Sequence, residues 1–306
     1  MKELNIGIVG TDSSHSVAFT RLLNDPSDAN HVPGGKVVAA FLGGSADFAL
    51  SADRVQGFMT TLETEFGVHR MDSPEEIAAS CDAILLTSAD GRVHLEQFKR
   101  IAPYGKPVFI DKPLALSSKE AKEFFCLARE HQLPLMSSSA LRYAQQITDD
   151  LALRGSASVI RADVGGPLDV EPTQSYYYWY GIHSVELLYG IMGSGCVEVN
   201  VTSAEKEKEK EEEELISAVW RDGRVGTVKL SRQPGTPFTA EIHRQGRTSA
   251  IEIDFAAKPF YASLLEQIMV MFQTGAAPLD EQETLEVIRF VEAAEESRLA
   301  GKSVCL

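Results

Sequence analysis

The sequence predicts an α/β protein in two parts: an N-terminal doubly wound parallel sheet, then an α+β part with an open, mostly antiparallel sheet. Three observations carry this. Short apolar strands alternate with helical patterns from Leu4 to Ser138. One of those strands, Val108-Phe109-Ile110, runs straight into Asp111-Lys112-Pro113. Beyond residue 139 the helices give way to alternating strands punctuated by Asp222-Gly223 and Gln245-Gly246 turns.

The totals narrow the function classes. The chain has 306 residues, long enough for two domains, with 44% hydrophobic and 24% charged residues. Lys and Arg number 29 against 44 Asp and Glu, a net charge of −15 that repels polyphosphate backbones, so no nucleic-acid partner is expected. No apolar run approaches the roughly 20 residues needed to span a bilayer. The start Met1-Lys2-Glu3 leads directly into a strand without a signal-peptide apolar region, so the expected location is cytoplasmic and no membrane association is expected. Cys81, Cys126, Cys196 and Cys305 are scattered, which reads as reduced thiols. No His/Asp/Glu cluster has metal-ligand spacing, and no metal is expected.

In order, Leu4 to Val9 is a strand and Gly10 opens a turn. A helix follows with Val17, Phe19, Leu22 and Leu23 inward, stopped by Asn24 and Pro26. A strand, tight turn and helix begin a dinucleotide-binding unit, whose fingerprint is G-x-G-x-x-G. Only Gly10 survives; Asp12 and His15 stand at the other two glycine positions. Ser13 and Ser14 either cap the helix alone or also help hold a phosphate with backbone N–H groups. The next strand, Lys36 to Leu42, carries Leu42 where an acid usually holds the adenosine ribose, followed by Gly43-Gly44-Ser45. The ribose is then held differently, or the glycines admit a 2′-phosphate, or no nucleotide binds. Ser73-Pro74-Glu75-Glu76 starts a short helix with an acidic first turn. Asp82 to Thr87 is a buried strand, and Ser88 to His94 is the loop after it. His94 either caps the helix of Leu95, Phe98 and Ile101 or touches the nicotinamide side of a cofactor. Gly105-Lys106-Pro107 turns into the Val108 strand; a helix from Ser117 to His131 buries Ala121, Phe124, Phe125 and Leu127, and Leu133 to Ser138 is one more strand.

Pro113 donates nothing to a sheet, so the strand ends there. Asp111 and Lys112 therefore lie at the carboxyl end of a parallel strand, where open α/β sheets place their ligands. A lysine tuned there by burial or by neighbours can lend or take a proton.

These residues resemble the Gfo/Idh/MocA family, named for glucose-fructose oxidoreductase and inositol dehydrogenase. The best local match is DAILLTSADGRVHLEQFKRIAPYGKPVFIDKPLALSSKEA from Asp82, with Asp111-Lys112-Pro113 standing for the family's E-K-P. A second is Gly181-Ile182-His183-Ser184-Val185-Glu186-Leu187-Leu188, similar to the family's G-x-H-x-x-D-L helix, and a third is the C-terminal helix through Gly301-Lys302-Ser303-Val304. The resemblance implies an N-terminal Rossmann domain, placed at 1–138, and a C-terminal domain at 139–306 for substrate binding and oligomerisation, whose last helix packs back on the first. It implies hydride transfer between NAD or NADP and a small hydroxyl or carbonyl compound, a sugar or polyol in most members. Lys112 would bind the reacting oxygen and help move its proton, with His183 across the pocket as its partner. Gly10, Asp12, Ser13, Ser14, His15, Ser88, His94, Asp111 and Lys112 would line the cofactor. Assembly as a homodimer or homotetramer through the open sheet also follows.

The departures open other readings. Many family dehydrogenases carry an aspartate one helical turn before the histidine; here that position is Trp179, within Tyr176-Tyr177-Tyr178-Trp179-Tyr180. Trp179 and Tyr180 read as a substrate-stacking wall or as an aromatic interface. Glu186, three residues after His183, is placed to orient it or to meet substrate. The alternatives to dehydrogenation are a ligand-sensing or assembly protein that kept the fold, or redox-assisted lyase or glycosidase chemistry. In the remainder, Val197 to Thr202, Leu215 to Trp220, Gly226 to Leu230, Thr239 to Arg244 and Ser249 to Phe255 read as strands. Ala262 to Phe272 and Glu281 to Leu299 read as helices, and the charged run Glu205 to Glu214 as a solvated segment.

Overall fold

A computed structural model describes residues 3–155, 159–203, 213–254 and 258–306. The chain divides into two compact units, one of Met1–Ala115, Lys119–Ser138 and Tyr261–Glu281, the other of Leu116–Ser118, Ser139–Phe260 and Gln282–Leu306.

The first unit is a six-stranded sheet with every pairing parallel. Its elements in order are β1 (Leu4–Val9), α1 (Ser14–Asn24), β2 (Gly35–Phe41), α2 (Ala49–Phe66), β3 (His69–Met71), α3 (Pro74–Ser80), β4 (Ala83–Leu86), α4 (His94–Ile101), β5 (Val108–Ile110), α5 (Ser118–Glu130) and β6 (Leu135–Ser137). The strand order β3-β2-β1-β4-β5-β6 reverses direction between β1 and β4. Ligands bind at such a reversal, outside the carboxyl ends of the strands. Ile6, Ile8, Leu85 and Phe109 are fully buried, as expected for strands covered on both faces. Ser13 caps α1 by accepting the His15 N–H, and Ser73 caps α3 by accepting the Glu76 N–H. Gly10 has φ +87°, and a Cβ there would collide with the Ser88 hydroxyl. The surviving fingerprint glycine is therefore required by the close approach of the β1 and β4 loops.

The second unit is built on a seven-stranded sheet of order β12-β11-β7-β10-β9-β8-β13. Its elements are α6 (Gln145–Arg154), β7 (Val159–Pro167), α7 (Gly181–Met192), β8 (Cys196–Ser203), β9 (Glu213–Trp220), β10 (Val225–Ser231), β11 (Thr239–Arg244), β12 (Arg247–Glu252), α9 (Glu281–Ala300) and β13 (Val304–Cys305). Only β7 and β10 pair in parallel; the other neighbours are antiparallel. Ten of the twelve α7 residues are buried, so that helix is apolar nearly all round and belongs to the core. Gly166 lets it in: a Cβ there would collide with the Ser184 hydroxyl and meet the Phe238 ring at 2.7 Å.

Several boundaries and elements differ from expectation. Unlike the expected division at residue 139, α8 (Phe260–Thr274) belongs to the first unit from Tyr261 onward, and α9 belongs to the second from Gln282. There the Ser297 hydroxyl accepts the Val201 N–H at 2.9 Å. Leu127 is only half-buried, with Ala128 taking the inward position. The last hairpin strand ends at Glu252, and Phe255 lies outside the described residues. So does most of the Glu205 to Glu214 run; only Glu213 and Glu214 are described, and both belong to β9.

Candidate active site

In the first unit the functional candidates collect at the carboxyl ends of β1, β4 and β5. Asp111 follows β5 directly, with its side chain 6% exposed. One carboxylate oxygen accepts the Lys112 backbone N–H at 2.9 Å, and the other pairs with His15 Nδ1. His15 Nε2 lies 2.9 Å from the Tyr261 hydroxyl, whose ring meets the imidazole edge-on at 4.7 Å. A chain Tyr261–His15–Asp111 thus leads to the backbone of Lys112. Burial acts to raise the Asp111 carboxyl, but the His15 charge and hydrogen bond, with Lys112, outweigh it and hold it below the ordinary range. Burial likewise pushes the Lys112 ammonium below the ordinary lysine value, opposed by the Asp111 charge. The Lys112–Pro113 peptide bond is cis.

His15, expected to line the cofactor, has its imidazole paired with Asp111. The acid limb of stability should report this pair. A carboxyl lowered in the fold adds stability that is complete above its unfolded value and is lost as pH falls through the folded one. His15→Ala should remove about 2 kcal/mol at neutral pH and move the acid loss of stability to higher pH. Thermal melts across the acid range check this, and superimposable acid limbs would refute it.

His94 does not cap α4. It is fully buried, with Nδ1 2.9 Å from the Pro113 carbonyl and Nε2 2.8 Å from the Ser88 carbonyl. Its two ring nitrogens reach both carbonyls, so His94 is a strut between the loops after β4 and β5. The Ser88 hydroxyl donates to Gln97 at 2.7 Å, under the Gly10 backbone.

Asp12 also departs from its expected role. Gly10, Thr11 and Asp12 are buried, Thr11 and Asp12 completely. The Asp12 carboxylate accepts the Ala89 N–H at 3.1 Å and the Ser51 hydroxyl at 2.6 Å, while that hydroxyl accepts the Ser45 N–H at 2.8 Å. The Gly10 and Thr11 amides donate to Phe41 and Leu42 at 3.0 and 2.9 Å. Of the expected phosphate contacts, Ser13 and Ser14 keep some exposure at the N-terminus of α1. The Gly10 and Thr11 amides and the Asp12 carboxylate are thus satisfied within the protein, while Ser13 and Ser14 at the start of α1 are the groups placed to meet a phosphate.

In the second unit His183 sits in the first turn of α7, with Nδ1 2.7 Å from the Ser139 hydroxyl. The Tyr180 ring meets it edge-on at 5.0 Å and stacks on Phe238 at 6.3 Å, so Tyr180 lies beside the histidine. Trp179 is half-buried. The rest of the aromatic run is structural: Tyr177 and Tyr178 are core, and the Tyr176 and Tyr177 hydroxyls both donate to the buried Glu214. Arg298 covers the Tyr176 ring at 3.8 Å and approaches Glu214 at 3.3 Å. Glu186 accepts the backbone N–H of Ser139, the residue whose hydroxyl holds His183. It is 3% exposed and pairs with Arg142, whose Nε donates to it at 2.8 Å while Nη1 pairs with Glu283. A buried carboxylate is held by a paired cation, and Arg142 supplies it.

Tyr261, Ser139, Phe238 and Arg142 escaped sequence reading because their partners are tens to hundreds of residues away, with no local motif. Also missed were Asp163, Glu241 and His243 on β7 and β11, whose ligand atoms lie within 4.8 Å of one another. Asp163 there is already engaged by Arg161 at 2.8 and 3.0 Å and by His243 at 2.9 Å, and Glu241 is exposed.

Residues 4–139 match the GFO_IDH_MocA family, described as an oxidoreductase family with an NAD-binding Rossmann fold. Over that region the chain is similar to that family. The whole chain resembles solved structures of the same architecture. A probable dehydrogenase from Thermotoga maritima shares 15% identity at TM-score 0.80, over 99% of each chain. Myo-inositol dehydrogenase from Lactobacillus casei, in complex with NAD(H) and myo-inositol, shares 15% at 0.76, over 100% of this chain and 97% of its own. An oxidoreductase from Agrobacterium radiobacter, in complex with NAD+, L-tartaric acid and magnesium, shares 16% at 0.77, over 99% and 98%. No curated protein matches the sequence.

Proposed function

We propose that the chain is an NAD(P)-dependent oxidoreductase acting on the CH–OH group, or the corresponding carbonyl, of a sugar, polyol or related small compound. The observation that carries this reading is Lys112, with its ammonium pushed down by burial, at the carboxyl end of β5 in a family Rossmann domain. Oxidising a carbinol needs a group to take the hydroxyl proton. Lys112 takes that role because a lowered lysine is neutral in a larger fraction of molecules. Asp111 sets its local charge, and His15 with Tyr261 holds Asp111 in place. His183, held by Ser139, is the second acid–base group, and Tyr180 and Trp179 offer aromatic surface to the substrate. A bound nicotinamide would supply the hydride acceptor, near Ser88 and His94. A homodimer or homotetramer and a cytoplasmic location belong to the same reading; among the described residues no helix is long and apolar enough to cross a membrane.

The buried Asp12 supports a second reading, a ligand-sensing or assembly protein that retains the fold without turnover. A panel of polyols and sugars with NAD+ or NADP+, followed by the absorbance of the reduced nicotinamide, separates the two. Turnover is the expected result. No reduction with any substrate, together with no NADH or NADPH binding at about millimolar concentration (a free energy of only about −4 kcal/mol), would overturn the first.

A further inference from the structure

We propose that the Asp12 carboxylate stands in for a dinucleotide phosphate at the sheet's reversal point and sets the affinity of this chain for nucleotide phosphates. The inference rests on the nicotinamide reading only in taking this crevice as the place where a dinucleotide would lie. The strand order places β1 between β2 and β4, so the loops after these three strands frame the crevice. Anions bind such a site through backbone N–H groups and hydroxyls that have no partner within the protein. Here the donors around Asp12 have one. Asp12 itself takes the Ala89 N–H from the β4 loop and the Ser51 hydroxyl from the first turn of α2. Ser51 in turn takes the Ser45 N–H, so a single carboxylate ties all three loops. The Gly10 and Thr11 amides are bonded to the end of β2, and the Thr11 hydroxyl lies 3.2 Å from the Leu42 carbonyl and 3.1 Å from the Val55 carbonyl.

Glycine at the second fingerprint position lets the backbone approach a pyrophosphate. An aspartate there does the opposite twice over. It occupies the donors around it, and its charge, on a side chain with no solvent exposure to screen it, repels a second anion. Burial, the largest influence on Asp12, raises its carboxyl despite the Ser51 and Ala89 hydrogen bonds, the mark of an anion held at a cost. The buried His94 ring offsets part of that charge.

Calorimetric titration of the whole protein with ADP, which carries the phosphate half of the cofactor without nicotinamide, tests this. Asp12→Gly restores the fingerprint residue. Asp12→Asn keeps an acceptor for the Ala89 N–H while removing the charge, and so decides the matter if the glycine variant fails to fold. Both variants should bind ADP at least tenfold more tightly than the wild type. Wild-type affinity equal to or tighter than that of the folded variants would overturn the proposal. Parallel titration with NADH separates it from the nicotinamide reading. Unchanged ADP affinity beside NADH binding by the wild type removes the Asp12 role alone. A gain for ADP with no NADH binding by any form supports that role and removes the nicotinamide reading.

Discussion

Lys112→Met is expected to lower turnover by about 10²–10⁴-fold, the range typical of a positioned proton-transfer group, while leaving the melting temperature unchanged or higher. The first half follows from its place after β5, where methionine fills similar volume but moves no proton. The second follows from linkage. Because burial lowers the Lys112 ammonium, the unfolded chain binds more protons than the native one between the folded value and the ordinary lysine value. Stability therefore rises with pH across that window, and below it the buried charge is a burden that methionine removes. Asp111 keeps its pairing with His15 in the variant. Steady-state rates and melts at several pH values check both halves. The stability advantage of the variant should shrink as pH approaches the ordinary lysine value. Unchanged turnover would remove Lys112 from the mechanism.

Arg142→Ala should destabilise the second unit by about 3–5 kcal/mol, the effect of removing one partner from a buried ion pair. Arg142 is 7% exposed and serves Glu186 and Glu283 together. Burial opposes its charge, but the two carboxylates more than compensate and hold the guanidinium above its ordinary value. Burial has already raised Glu186. Without the arginine, two carboxylates face each other with no counter-charge, and protonation of one becomes the relief. The loss should consequently be smaller in mild acid than at neutral pH. Urea unfolding followed by circular dichroism measures it, and a change below about 1 kcal/mol, the size of an exposed pair, would contradict the assignment.

Periodicity decided the elements that the sequence made legible. The buried strands β1, β4 and β5 were plain because an apolar run bounded by turn residues has few other meanings. Helix α2 was not legible: in eighteen residues only Ser51, Met59 and Leu62 are buried, too few for a stripe. Strand β7, central to its sheet, was hidden by Gly165-Gly166-Pro167, which spells a turn but serves close packing under α7 and Phe238.

The site divides along the same line. The sequence by itself determined the parallel-strand context of Asp111-Lys112-Pro113, the lost fingerprint glycines and the presence of His183 on an apolar helix, because each is written in consecutive residues. Only the tertiary structure decided which charge each polar side chain meets. His15 reaches Asp111, Glu186 reaches Arg142, and Asp12 turns onto Ser51 and Ala89. The physical reason is that a buried charge must be paired wherever the fold supplies a partner, and these partners lie about 40 to 100 residues away along the chain.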